Sequence, residues 1–197
     1  MPLGAHKAAI MGVAGVSTAD VVLLSSQTAS GDSAISFTSG ITSTYGEYIF
    51  KFYNVNPATD AVQFSFQGSI DGGSNYNVTM TSTYWRASHR ENGTDTDFAY
   101  DTDSDIAQGT GFQTLMVGVG NGGDESCAGE LHLFNPSSTT YVKHWYARVQ
   151  GMTGGTNRSG DHYTAGYFND ADDDINAIQF KMSSGNFDGT IKLWGVK

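Results

Sequence analysis

The chain of 197 residues and 21.0 kDa fits one β-domain and is long enough to bury a core. Twenty acidic residues against ten basic ones give a formal net charge of −10, a balance that repels phosphate backbones and excludes nucleic acid as a favoured partner. Charged residues make up only 15% of the chain, so Ser, Thr, Asn and Gly carry the polarity, and 11 Phe and 10 Tyr suit pleated strands better than helix faces.

Residues 1–20 read as an arm. Lys7 precedes a small apolar run that superficially resembles a secretory leader, but Gly12 and Gly15 break the run from Ala8 to Val16 and it holds no Leu. Strand patterns then follow at short intervals: VVLLSSQ from Val21, SAISFTS from Ser33 and EYIFKFYNV from Glu47. The clearest is AVQFSFQGSI, with Val62, Phe64, Phe66 and Ile70 on one face and Gln63, Ser65, Gln67 and Ser69 on the other, the alternation of a half-covered strand. Asp71-Gly72-Gly73 then signals a turn into YNVTMTSTYW, which predicts a hairpin. Further strands are expected at FQTLMVGVG from Phe112, GELHLF from Gly129, VKHWYARVQ from Val142, HYTAGYF from His162, INAIQFKM from Ile175 and TIKLWGV from Thr190. No window of helical length shows an apolar stripe with caps, so residues 21–197 are expected to form a single antiparallel β-sandwich, jelly-roll-like, preceded by the arm. Residues 88–111 and 151–161, polar and Gly-rich, are expected as exposed loops.

The residues that carry chemistry are few. Alternation on an extended chain would put Asp101, Asp103 and Asp105 on one side, a candidate structural calcium site, although Ile106 and Phe112 stand where a helix-loop-helix calcium loop needs Gly and Glu. Asp170, Asp172, Asp173 and Asp174 form a second acidic cluster. Gly118, Gly120 and Gly123 match GxGxxG, but DESCAGELHLF follows in place of a helix, so the match reads as a turn with no dinucleotide. The single Cys127 cannot form an intramolecular disulfide and reads as a small buried hydrophobe. His6, His89, His132, His144 and His162 show no metal-ligand spacing, and no nucleophile elbow or Cys-His signature occurs, so no catalytic residue and no enzyme activity is expected. No segment has the apolar length of a membrane-spanning helix. Tyr84, Trp85, Trp145, Tyr146, Tyr163, Tyr167 and Phe168 are rings that can stack on sugars, with Trp85, Trp145 and Tyr163 the candidate glycan contacts. In the adjacent pairs Tyr84-Trp85 and Trp145-Tyr146 one ring of each faces inward and the other outward, and which is which stays open.

SIDGGSNYNVTMTSTYWRA (69–87), LHLFNPSSTTYVKHWYARVQ (131–150) and AIQFKMSSGNFDGTIKLWGVK (177–197) resemble segments of small virion proteins of tailed, particularly marine, bacteriophages. The matched words are strand-and-turn phrases, so the resemblance implies a structural subunit of a capsid (decoration) or of a tail or fibre, located in the virion, and transfers no site residue. It leaves the arm and the 95–105 acidic run outside the matched segments. Leu3, Ile10, Met11 and Val13 are the apolar anchors expected to dock the arm against a neighbouring virion protein or another copy, in a homo-oligomer such as a trimer. The alternative is a carbohydrate-binding module that recognises a host surface glycan through 88–111 and 151–161. A small glycosidase or lyase on the same fold is the third reading, disfavoured because no acid pair is evident.

Overall fold

The computed structural model describes residues 20–155 and 157–197. Leu3, Ile10, Met11 and Val13 of the arm lie outside them. The elements are β1 (Val21–Asp32), β2 (Ala34–Phe37), β3 (Glu47–Pro57), β4 (Val62–Ser69), β5 (Met80–Arg90), β6 (Thr96–Tyr100), β7 (Gln113–Val119), β8 (Cys127–Phe134), β9 (Lys143–Thr153), β10 (Arg158–Phe168), β11 (Ala177–Met182) and β12 (Phe187–Val196). Every pairing is antiparallel, as expected for an all-β sandwich.

One broad sheet runs β1-β12-β3-β8-β9-β10-β5-β6, and a smaller one runs β7-β4-β11-β2. They meet at one corner through the single pair Val119 and Thr153, which makes the sandwich nearly closed and barrel-like. The larger sheet outruns the smaller, and its overhang is built from β10, β5 and β6.

Alternation drives the packing. On β9, Lys143, Trp145, Ala147, Val149 and Gly151 are buried while the residues between them are exposed, the period-2 pattern of a strand with one face on the core. The core is aromatic: Phe180 contacts Phe50 and Phe52 at 5.2 Å, Phe64 at 6.0 Å and Phe66 at 6.2 Å. Each such pair adds about 0.5–1.5 kcal/mol beyond the area it buries. Cys127 joins this core, and burial pushes its thiol pKa up to about 12, as a small hydrophobe requires.

Three sequence expectations are corrected. β4 is covered on both faces, because the segments around Val78 and Thr110 cross its polar side. Gln67 is fully buried there, its Nε2 donating to the carbonyls of Val78 at 3.2 Å, Thr110 at 3.1 Å and Gly111 at 2.8 Å while Oε1 accepts the Gly68 N–H at 2.7 Å. β4 and β5 are not a hairpin, since β4 pairs with β7 and β11 whereas β5 pairs with β10 and β6. The Asp71 carboxylate accepts from Ser69 Oγ at 2.6 Å and from the Asn75 N–H at 2.9 Å, so the chain is held in a longer loop that redirects it to the other sheet. These bonds lower the Asp71 pKa to about 2.

The third correction concerns the two long loops. Residues 88–100 are the end of β5, a short turn and β6, and residues 151–161 are mostly the ends of β9 and β10, so these parts are hairpins of the overhang, while 101–111 stay irregular as expected. Elsewhere the irregularity is local. At Asn54 (φ 50°) β3 bulges, and Gly189 of β12 faces the bulge, where a Cβ would fall 2.9 Å from Val55 Cα.

Candidate binding site

Beyond the smaller sheet, the inner face of the overhang and the edge of β7 enclose a cleft of about 550 Å³. The pleat decides its lining. His162 and Gly160 on β10 share the inner face with Tyr84, Arg86 and Ser88 on β5, because His162 is paired with Arg86 and Gly160 with Ser88. The β5–β6 hairpin contributes Asp95 and Asp97, and the β9–β10 hairpin contributes Gly154 and Arg158. The two stretches read from sequence as contact loops thus lie side by side at one end of the sheet, and both line one cavity.

At the bottom lies a ring pair. The fully buried Tyr84 hydroxyl is 2.6 Å from His162 Nδ1. The same hydroxyl accepts the backbone N–H of Val117, so its own proton is directed at Nδ1, and the imidazole proton, assigned from this network, sits on Nε2. Burial, reinforced by the nearby Arg86 charge, lowers the His162 pKa to about 4, which keeps the ring neutral at ordinary pH; burial also raises the Tyr84 pKa. His162 is 1% exposed, and its Nε2 has no hydrogen-bond partner. Gly160, two residues back on the same face, packs beside that nitrogen with no side chain of its own: a Cβ there would lie 2.7 Å from Nε2.

Around this donor stand two ion-paired arginines. Arg86 Nη1 is 3.1 Å from Asp101 Oδ2 and its Nε is 3.6 Å from Asp97 Oδ2. Arg158 pairs with Asp95 and donates to Ser88 Oγ at 3.3 Å. The rim therefore alternates donors and acceptors and carries no excess of positive charge.

The structure disperses the acidic run proposed for calcium. Asp101 turns back to Arg86 and accepts the Asp103 N–H at 3.1 Å, Asp105 accepts the Tyr100 hydroxyl at 2.5 Å, and Asp103 is exposed. The chain turns at 101–104 instead of running extended, so alternation does not align the three carboxylates. In the second cluster the buried Lys143 ammonium donates to the Asp170 carbonyl; burial lowers its pKa, and the charges of Asp170, Asp172, Asp173 and Asp174 oppose that shift only in part. Among the described residues no three His, Cys, Asp or Glu side chains form a metal-ready group. The GxGxxG segment leads through a turn, closed by the Glu125 N–H to the Gly122 carbonyl at 3.0 Å, into β8.

Of the proposed glycan contacts, Trp85 and Tyr163 come together and Trp145 does not. Trp85 and Tyr163, paired across β5 and β10, stack at 4.0 Å with 4° between their planes on the outer face. Phe98 covers the far side of Trp85 at 5.4 Å and Arg148 lies 5.1 Å from the Tyr163 ring centre, so these ring faces already hold partners. Trp145, 2% exposed, is core, packed edge-on to Phe66 at 4.9 Å, and its neighbour Tyr146 is the outward ring.

The outer face carries a second surface, which sequence reading missed. A groove of about 860 Å³ between Tyr45, Phe134, Tyr141 and His144 continues past Phe134 and His144 into a trough of about 410 Å³ floored by Ala165 and Gly166 and walled by Tyr146 and Tyr167. Its residues come from four separate segments, so no local pattern announces it; neither does any linear trace tie His162 to Tyr84. No family model matches this chain, and no curated protein and no solved structure matches it.

Proposed function

We propose that the protein is a non-enzymatic structural subunit that assembles with copies of itself, and that the assembly is the particle of a tailed bacteriophage. The observation that carries self-assembly is the aromatic groove on the outer face, where Tyr141 and Tyr146 remain 73% and 45% exposed. Exposed rings gathered in one groove are the usual mark of a protein contact.

Residues 1–19 of a neighbouring copy suit the groove as its occupant. The chain enters β1 at Asp20, whose carbonyl accepts the Lys197 N–H, and Val21 lies across β12 from Glu47, next to the groove residues Gly46 and Tyr45. The groove of the same copy lies two strand spacings, about 10 Å, from that point, and nineteen extended residues, which span about 60 Å, reach past it to the groove of a neighbour. The segment supplies Leu3, Ile10, Met11 and Val13 for apolar contact, and Lys7 with no carboxylate before Asp20, against a groove rim that continues from Ala171 to Asp172 and Asp173. The particle itself is supported by the three resembling sequence segments.

Light scattering on the full chain should show a discrete oligomer, lost in Ile10→Asp/Met11→Asp and, separately, in Tyr141→Asp. A monomer at every concentration, or an oligomer indifferent to both changes, overturns self-assembly. The phage reading is tested by quantitative mass spectrometry of purified particles, where the chain should be present in fixed stoichiometry.

A further inference from the structure

We infer that the cleft between the inner face of β5 and β10 and the edge of β7 binds a neutral, hydroxyl-rich ligand, a sugar ring, with His162 Nε2–H as its central donor. A buried N–H without a partner costs about 1–3 kcal/mol, and native structures keep few of them. His162 Nε2 is such a group, in a ring kept neutral by burial and oriented by Tyr84, at the cleft lining beside Gly160, which has no side chain to fill the space next to it. An acceptor oxygen resting on Gly160 would satisfy it.

The rim selects among ligand classes. Arg86 and Arg158 are answered by Asp95, Asp97 and Asp101, so an anion would meet carboxylates as well as guanidinium groups. A metal cation would meet two arginines and an imidazole that presents a proton. A hydroxyl both donates and accepts, and a ring bearing several of them matches donor-acceptor pairs set side by side. Ser88 and the Arg158–Asp95 pair lie on one wall, with the Arg86–Asp97 pair beside them. Gly118 and Gly154 line the opposite wall, where the backbone can approach a ligand closely. The cavity of about 550 Å³ lies within the range of small-molecule sites. Recognition here is by hydrogen bonds, because the stacked rings Trp85 and Tyr163 stand on the opposite face of the sheet.

The test applies the full chain to a glycan array that carries neutral hexose, deoxyhexose and acidic-sugar probes, followed by calorimetry with the neutral sugars that bind and with inorganic phosphate and calcium chloride alone. A neutral glycan should bind, and Gly160→Ala should weaken it roughly tenfold or more, as loss of a well-placed donor predicts. In the wild-type protein the Nε2–H resonance of His162 should shift on addition of that sugar, a readout that needs no variant to fold. Arg158→Ala should also weaken binding with the fold intact by circular dichroism. A blank array, binding confined to phosphate, calcium or acidic glycans, or a neutral glycan that leaves the His162 resonance and the Gly160→Ala affinity unchanged, overturns the inference.

Discussion

On β5 and β10 the Tyr84–His162 pair and the Trp85–Tyr163 pair are one residue apart on each strand, yet they meet opposite surroundings. The first faces inward, where the edge of β7 brings the Val117 N–H to Tyr84, so its rings are buried and joined by a directed hydrogen bond. The second faces outward, where its rings stack on each other and Phe98 and Arg148 pack beside them. What each ring does is thus set by its side of the pleat and by what covers that side, more than by its residue type. The adjacent strand repeats the contrast with Trp145 inside and Tyr146 outside.

The largest effect should come from emptying the covered side. Trp145→Ala removes a ring packed against Phe66 and Phe168 and should cost about 3–5 kcal/mol in chemical denaturation, while Tyr146→Ser should stay under about 1 kcal/mol. Equal losses would break the comparison.

A pH titration sharpens it next. The folded His162 pKa of about 4 lies below the ordinary value of 6.5, so between these pH values the unfolded chain binds the proton and the folded chain does not. Stability should therefore fall as pH drops from about 6.5 to about 4, by about 3 kcal/mol from this group. Asp101 and Asp161 oppose the shift and Arg86 adds to it. In His162→Gln this part of the slope should vanish from urea midpoints measured across that window; an unchanged slope would assign the dependence elsewhere.

Smaller again is Tyr84→Phe, which strands the Val117 N–H and His162 Nδ1 and should cost about 1–3 kcal/mol by thermal or urea denaturation. The outer stack should yield least: Trp85→Ala is expected near 1 kcal/mol in the same assay. Phe98→Ser, at a ring 74% exposed on an edge strand, should leave stability within about 0.5 kcal/mol.

Fold class and most strand positions were legible because period-2 alternation is a local property. The strands starting at Val21 and Glu47, and β9 with its strict in-out pattern, appear where the sequence puts them. β6 was hidden because TDFAY is short and flanked by Asp, Asn and Gly that signal loop, and its strand character comes from pairing with β5. The Asp71 turn misled because a turn signal says that the chain reverses without saying which strand it next pairs with.

The candidate site was half legible. The two stretches that line the cleft could be named from their polarity, and Trp85 and Tyr163 from their aromatic character, but partners could not. Tyr84 and His162 are seventy-eight positions apart and meet at 2.6 Å only through register, and the Asp101 and Asp170 clusters acquire Arg86 and Lys143 as counter-charges from other strands. By itself the amino-acid order determined an antiparallel β-domain with an aromatic core and an acidic balance, since composition and alternation act over neighbouring residues. Only the tertiary structure decided which ring of each pair is buried, which carboxylates are neutralised and where a buried imidazole N–H is left without a partner. Those outcomes depend on strand order and on how far one sheet extends beyond the other, and neither is written in any local stretch of the chain.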